Sequence, residues 1–134
     1  MKIQRAYVCS LLRRLARLSP EVILSGNAEY IEFKGALAEN AILQALVPQS
    51  DGLPYYWSSE NRAEVDFLLQ QGSIVIPVEV KAENRISGKS LSVYTSKFKP
   101  SLKIRYSMNN LKENDGLLSL PSFLADWTFK IARM

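Results

Sequence analysis

Histidine is absent from these 134 residues, and cysteine occurs once, at Cys9. The first absence removes histidine general bases and histidine metal ligands. The second excludes an internal disulfide and any cysteine zinc cluster. No apolar run approaches the ~18 residues of a membrane-spanning helix. No Gly-x4-Gly-Lys-Ser/Thr phosphate loop is present, so the chain does not bind ATP in that way. There are no internal repeats and no low-complexity segment. Any hydrolytic chemistry must then rest on carboxylates, lysine and a metal ion.

What is present fits one domain. The length suffices to bury a single core. A hydrophobic content of 47% with alternating patterns argues for a folded chain. The net charge of +4 is unevenly distributed. Lys2, Arg5, Arg13, Arg14 and Arg17 face no acid within residues 1–20, whereas the remainder holds 12 bases and 13 acids. Ile3, Tyr7, Leu11, Leu15 and Leu18 fall on one helical face, with Arg5, Arg13 and Arg17 opposite. Residues 1–29 are therefore expected to form a basic amphipathic helix and a linker. That helix packs on its own domain, contacts nucleic acid, or belongs against another domain. The arginines interrupt the apolar core that a signal peptide needs, so that reading is rejected and a cytoplasmic location is expected.

The densest information lies in Ala63-Glu64-Val65-Asp66-Phe67-Leu68-Leu69 and in Pro77-Val78-Glu79-Val80-Lys81. Both segments read as strands, and Gly72-Ser73 between them suits a two-residue type II′ loop. That turn sets Gln71 against Ile74, Asp66 against Glu79 and Glu64 against Lys81. Val65 with Val80, Phe67 with Val78 and Leu69 with Ile76 then share an apolar face, which supports the register. Asp66, Glu79 and Lys81 occupy the other face. Charged groups on a strand are costly unless paired or used. The arrangement is either a solvated face with a Glu64–Lys81 ion pair, or a site for a divalent metal and a phosphodiester.

Residues 34–47 read as a helix stopped by Pro48, with Ala36, Ile42, Leu43 and Leu46 at helical spacing. Glu39 lies on that stripe, as a stripe-edge residue or as a third acid converging on the hairpin, while Asn40 and Gln44 take the polar side. Strand 55–57, whose Tyr55 and Trp57 read as core packing ahead of base stacking, precedes the hairpin. Residues 91–98 are expected as a helix, 102–106 as a strand and 121–134 as a helix burying Phe123, Leu124, Trp127 and Ile131. Lys97, Lys99, Lys103 and Arg105, near Phe98 and Tyr106, read as a nucleic-acid grip or as an ordinary solvated edge strand. Lys89 lies in a loop region beside the proposed site.

In this order the segments resemble the PD-(D/E)XK nuclease superfamily. More narrowly, the chain is similar to the domain of unknown function found at the C-terminus of many prokaryotic AAA-type ATPases. The resemblance rests on Lys34-Gly35-Ala36-Leu37-Ala38-Glu39-Asn40, Tyr55-Tyr56-Trp57, Glu64-Val65-Asp66-Phe67, Val78-Glu79-Val80-Lys81-Ala82 and Gly116-Leu117-Leu118-Ser119-Leu120-Pro121, and covers about residues 30–132. It implies an α/β, restriction-endonuclease-like core over residues 30–134: helix, three-stranded meander, helix and strand, with flanking terminal helices. It implies Glu39, Asp66, Glu79 and Lys81 as catalytic residues, with Glu39, Asp66 and Glu79 as ligands of Mg²⁺ or Mn²⁺. Val65 stands where the superfamily name has proline. Hard carboxylate oxygens suit either ion, and Lys81 suits charge building on a phosphate. Lys89, Lys97, Lys99, Lys103 and Arg105 would form the basic rim for nucleic acid. The partners implied are nucleic acid and an ATPase domain outside this chain; no membrane is involved. The alternative is a non-catalytic module that binds nucleic acid or protein.

Overall fold

The computed structural model of the protein describes residues 28–59, 63–82 and 88–133, with side chains from residue 34 onward. The expected amphipathic helix near the N-terminus lies outside the described residues. Helix α1 (Ala28–Leu46) leads through a 3₁₀ turn (Val47–Gln49) into strands β1 (Tyr55–Ser59), β2 (Ala63–Gln71) and β3 (Ile74–Val80). Helix α2 (Lys89–Phe98) follows, then β4 (Lys103–Ser107), β5 (Lys112–Asn114) and β6 (Leu117–Pro121). A second 3₁₀ turn (Ser122–Trp127) and the short helix α3 (Thr128–Ala132) end the fold. The result is a mixed α/β architecture around one six-stranded sheet, ordered β1-β2-β3-β4-β6-β5.

Local chemistry explains the first half. Ile42, Leu43 and Leu46 give α1 a buried stripe. Pro48 lacks an amide hydrogen, so the α-helix ends before it and the chain tightens into the 3₁₀ turn. The Gln49 side chain replaces the lost helical bonds: its Nε2 donates to Ala45 O at 2.6 Å and to Ala125 O at 2.8 Å. Its Oε1 accepts the Phe129 N–H at 3.4 Å, so one glutamine ties the end of α1 to the C-terminal turns. Asn40, expected on the polar side, is buried instead, and its Oδ1 has no hydrogen-bond partner.

The β2–β3 hairpin has the expected register from Gln71↔Ile74 to Phe67↔Val78. Of its two loop residues only Gly72 has a positive φ, +58°, as a type II′ turn requires. Asp51 braces the turn, its Oδ2 accepting the Gly72 N–H at 2.7 Å. The ladder stops at Phe67↔Val78. On the other side of β2, Tyr55 pairs with Leu68 but Trp57 pairs with Val65. One extra residue therefore falls at Asp66–Phe67, opposite Tyr56, as a β-bulge.

The bulge corrects one expectation. Phe67, Leu69, Ile76, Val78 and Val80 pack with α1 and with Ile104, Tyr106, Leu118 and Leu120 in the main core. Val65 does not join them. It packs with Leu68, Tyr94, Tyr55 and Trp57 in a second cluster beneath α2. A bulge breaks the strict alternation of faces, so Val65 and Phe67 part company. Tyr55 and Trp57 do serve the core, and Trp57 meets Tyr94 edge-on at 5.2 Å between centroids. Each fully buried aliphatic side chain here contributes about 1.5–3 kcal/mol relative to exposure.

The second half departs further from expectation. Helix α2 carries the chain from β3 to β4, which runs parallel to β3. β6 then pairs parallel with β4, and β5 folds back antiparallel on β6. Strand β4 is therefore interior, not the solvated edge strand considered from the sequence. The β5–β6 loop is Asp115-Gly116, with φ of +50° and +71°, the positive pair that a type I′ turn uses. The expected C-terminal helix is only partly helical. With three residues per turn in its 3₁₀ portion the buried stripe is re-phased. Ala125, Thr128 and Phe129 point inward, while Phe123 is 81% exposed and Trp127 53% exposed. Leu124 and Ile131 are half-buried. The buried Tyr106 hydroxyl bonds Thr128 Oγ1, which itself donates to Ala125 O, pinning β4 to α3.

Candidate functional site

The site is built where β2 and β3 stop pairing. Beyond Phe67↔Val78 the Asp66 side chain takes over, its Oδ2 accepting the Val80 N–H at 2.7 Å. A side chain thus fills a ladder position at the bulge and brings a carboxylate beside the end of β3. Glu79 lies just before Val80, is 1% exposed, and belongs to the fully buried side chains.

A buried carboxylate needs partners. Glu79 has two cations. Arg105 Nε donates to its Oε2 at 2.8 Å, from the register position directly beside it on β4. Lys81 Nζ lies 3.2 Å from its Oε1. The Lys81 contact lacks hydrogen-bond alignment, and Oε1 counts as buried without a hydrogen-bond partner. Coulombic attraction holds the Lys81 ammonium beside Oε1 without an aligned hydrogen bond. The Glu64–Lys81 pair considered from the sequence is replaced by this Glu79–Lys81 pair. Glu64 is exposed, and its N–H reaches Ser90 Oγ at 3.4 Å.

Glu39 comes from α1 into the same electrostatic neighbourhood. Burial, reinforced by the charges of Asp66 and Glu64 and opposed by Lys81, pushes its pKa from 4.5 to about 7. Burial likewise raises Asp66 from 3.8 to about 6, against the Val80 hydrogen bond and Lys81, with Glu79 and Glu64 adding to the rise. Asp66 and Lys81 therefore act on Glu39, and Lys81 and Glu79 act on Asp66, while Lys81 touches Glu79. Among the described residues, however, no three carboxylates gather closely enough to hold one metal ion.

The five expected rim residues separate into two groups. Lys89, Lys97 and Lys99 are exposed on and just after α2, with Lys97 Nζ 5.4 Å from the centroid of the Phe98 ring. Lys103 is half-buried, and its Nζ donates to Asp115 O at 2.9 Å. Arg105 is not on a rim, because its side chain is 11% exposed and bound to Glu79. Tyr106 is fully buried and offers no stacking face.

Residues 34–123 match the sequence profile of the domain of unknown function DUF4143. The chain belongs to that family. No curated protein and no solved structure shows a significant match. The DUF4143 match runs from α1 into the second 3₁₀ turn and includes Glu39, Asp66, Glu79, Lys81 and Arg105. No helix among the described residues is long and apolar enough to cross a membrane.

The donor set of this DUF4143 domain has a definite chemistry. Asp66 and Glu79 supply hard oxygens, and Glu79 keeps one buried oxygen outside any hydrogen bond. Mg²⁺ keeps several waters and takes only one or two carboxylates from a protein. The oxygens of Asp66 and Glu79 are of the kind such an ion takes.

Proposed function

We propose that this DUF4143 domain is a Mg²⁺- or Mn²⁺-dependent phosphodiesterase acting on nucleic acid, built on a restriction-endonuclease-like core of the PD-(D/E)XK kind. One observation carries the reading. Where the β2–β3 ladder ends, Asp66 caps Val80, and the buried Oε1 of Glu79 lies 3.2 Å from the Lys81 ammonium without an aligned hydrogen bond. The order of helix, antiparallel meander, crossover helix and parallel strand supports the core.

A divalent ion, when bound, supplies Lewis-acid charge at the phosphate. Asp66 and Glu79 are the residues to hold it. Lys81, about a quarter exposed, can present its ammonium to charge developing on the phosphate oxygens. Glu39 on α1, its pKa raised by burial to about 7, adds a further acid that feels Asp66 and Lys81. Lys89, Lys97 and Lys99 face solvent and can contact the polyanion, with strong salt dependence.

Cleavage of a mixed DNA and RNA pool with Mn²⁺ at low salt tests the reading, beside Asp66→Ala and Lys81→Ala. Robust cleavage lost in both variants supports it. A specific observation also favours the alternative, a non-catalytic nucleic-acid- or protein-binding regulatory module of an ATPase: Glu79 is already neutralised by Arg105 and Lys81. Absence of wild-type cleavage on any DNA or RNA, together with tight binding of an ATPase domain, selects that second reading.

A further inference from the structure

Arg105 is the least expected member of this neighbourhood. It sits on an interior strand, flanked by the buried Ile104 and Tyr106, and its side chain is 11% exposed. Its Nε–H reaches Glu79 Oε2 at 2.8 Å. The parallel register Glu79↔Arg105 and the next bond, Lys81 N–H to Tyr106 O at 2.8 Å, hold both backbones on either side of this contact. On its outer side the guanidinium lies against Gly88, at the start of α2. A Cβ there would stand 2.6 Å from the Arg105 Nη2.

These contacts leave the arginine little freedom and give Glu79 an asymmetric carboxylate. Oε2 is fixed by an aligned, charge-assisted hydrogen bond. Oε1 is buried, 3.2 Å from Lys81, and outside any hydrogen bond. A carboxylate that binds a metal is characteristically oriented by a hydrogen bond to its other oxygen. Resting on the metal-dependent reading above, we infer that Arg105 is a positioning residue that clamps Glu79 Oε2, so that Oε1 is presented as the metal ligand. Gly88 borders the clamp, because a side chain there would have to push the Arg105 Nη2 from its present place.

Lysine cannot reproduce the contact. It keeps the charge but lacks the planar Nε–H geometry. Gly88→Ala reaches the same guanidinium from outside without altering any residue that would touch the ion. The Gly88 φ of −81° is ordinary for alanine, so the backbone accepts the change.

The experiment is calorimetric titration of Mn²⁺ into the full chain, for wild type, Arg105→Lys and Gly88→Ala, with metal-free melts recorded alongside. Wild type is expected to bind, and Arg105→Lys to bind about 10- to 100-fold more weakly. Gly88→Ala should weaken binding in the same direction while its metal-free melt stays cooperative. A role confined to fold stability would lower the melt and leave the affinity of the folded protein unchanged. Should Arg105→Lys fail to fold, the Gly88→Ala affinity decides. Wild type that binds no Mn²⁺ overturns the metal reading and the inference with it. Binding as tight as wild type in the folded variants overturns the inference alone. Tighter binding does so as well, since it would make Arg105 a competitor of the ion.

Discussion

The Val80 N–H donates to Asp66 Oδ2 at 2.7 Å, so a carboxylate side chain performs the work of a strand neighbour. This relationship separates two roles that a single substitution would confound. Asp66→Asn keeps an oxygen acceptor and removes the charge. Burial and the nearby acids already raise the Asp66 pKa to about 6, so losing the charge should stabilise the metal-free protein by roughly 1–2 kcal/mol at pH 7.5. Asp66→Ala loses the acceptor too, and strands a buried N–H at a cost of about 1–3 kcal/mol. Urea unfolding of both variants should rank Asn above wild type and above Ala. An Asn variant less stable than wild type would show that the charge, not the hydrogen bond, holds β3 in place.

The pH dependence of stability should run opposite to that of ordinary acid denaturation in the mildly acidic range. Glu39 and Asp66 have folded-state pKa values of about 7 and about 6, above their reference values of 4.5 and 3.8. Each holds its proton more tightly in the folded chain. Their contribution is complete below pH 4 and is lost as pH rises through 6 and 7. Metal-free wild type should therefore melt at higher temperature at pH 5 than at pH 8. Glu39→Gln should flatten that slope, and raise stability at pH 8 by roughly 1–2 kcal/mol after allowance for its partial exposure. Equal slopes in wild type and Glu39→Gln would remove Glu39 from the coupled set.

Divalent metal should reverse the penalty. An ion that binds only the folded state at about 100 times its dissociation constant adds roughly 2.7 kcal/mol. Millimolar Mn²⁺ is expected to raise the wild-type melting temperature at pH 7.5 by several degrees, and to leave Asp66→Asn nearly unmoved. An unchanged wild-type melt counts directly against a formed metal site.

The end of α2 offers an independent test of the basic rim. Lys99 adopts a left-handed conformation, φ +47° and ψ +54°, and its N–H donates to Thr95 O. A side chain in that conformation costs roughly 1–2 kcal/mol, part of which glycine returns as unfolded-state entropy. Lys99→Gly should stabilise the fold by about 0.5–1 kcal/mol in urea. If Lys99 also contacts a nucleic-acid backbone, the same variant should reduce the salt slope of binding by about one. An unchanged slope would place Lys99 outside the interface.

The sequence by itself determined what local chemistry controls. Gly72-Ser73 specified the hairpin turn, and the apolar alternation on either side specified its register as far as Phe67↔Val78. Ile42, Leu43 and Leu46 marked the buried face of α1, and Pro48 its end. The Asp115-Gly116 turn is equally legible in Asn114-Asp115-Gly116. Strand Lys112–Asn114 is wholly exposed, though, and shows no alternation to draw attention to it.

Only the tertiary structure decided the bulge at Asp66–Phe67, the interior place of β4 and the pairing of Glu79 with Arg105. The physical reason is the same in each case. Period-two alternation tells which side of a strand a residue occupies, but not which strand lies beside it. Glu79 and Arg105 are 26 residues apart and meet because α2 crosses over and sets β4 parallel to β3. An arginine that reads as solvated in one dimension thereby becomes the buried partner of a glutamate.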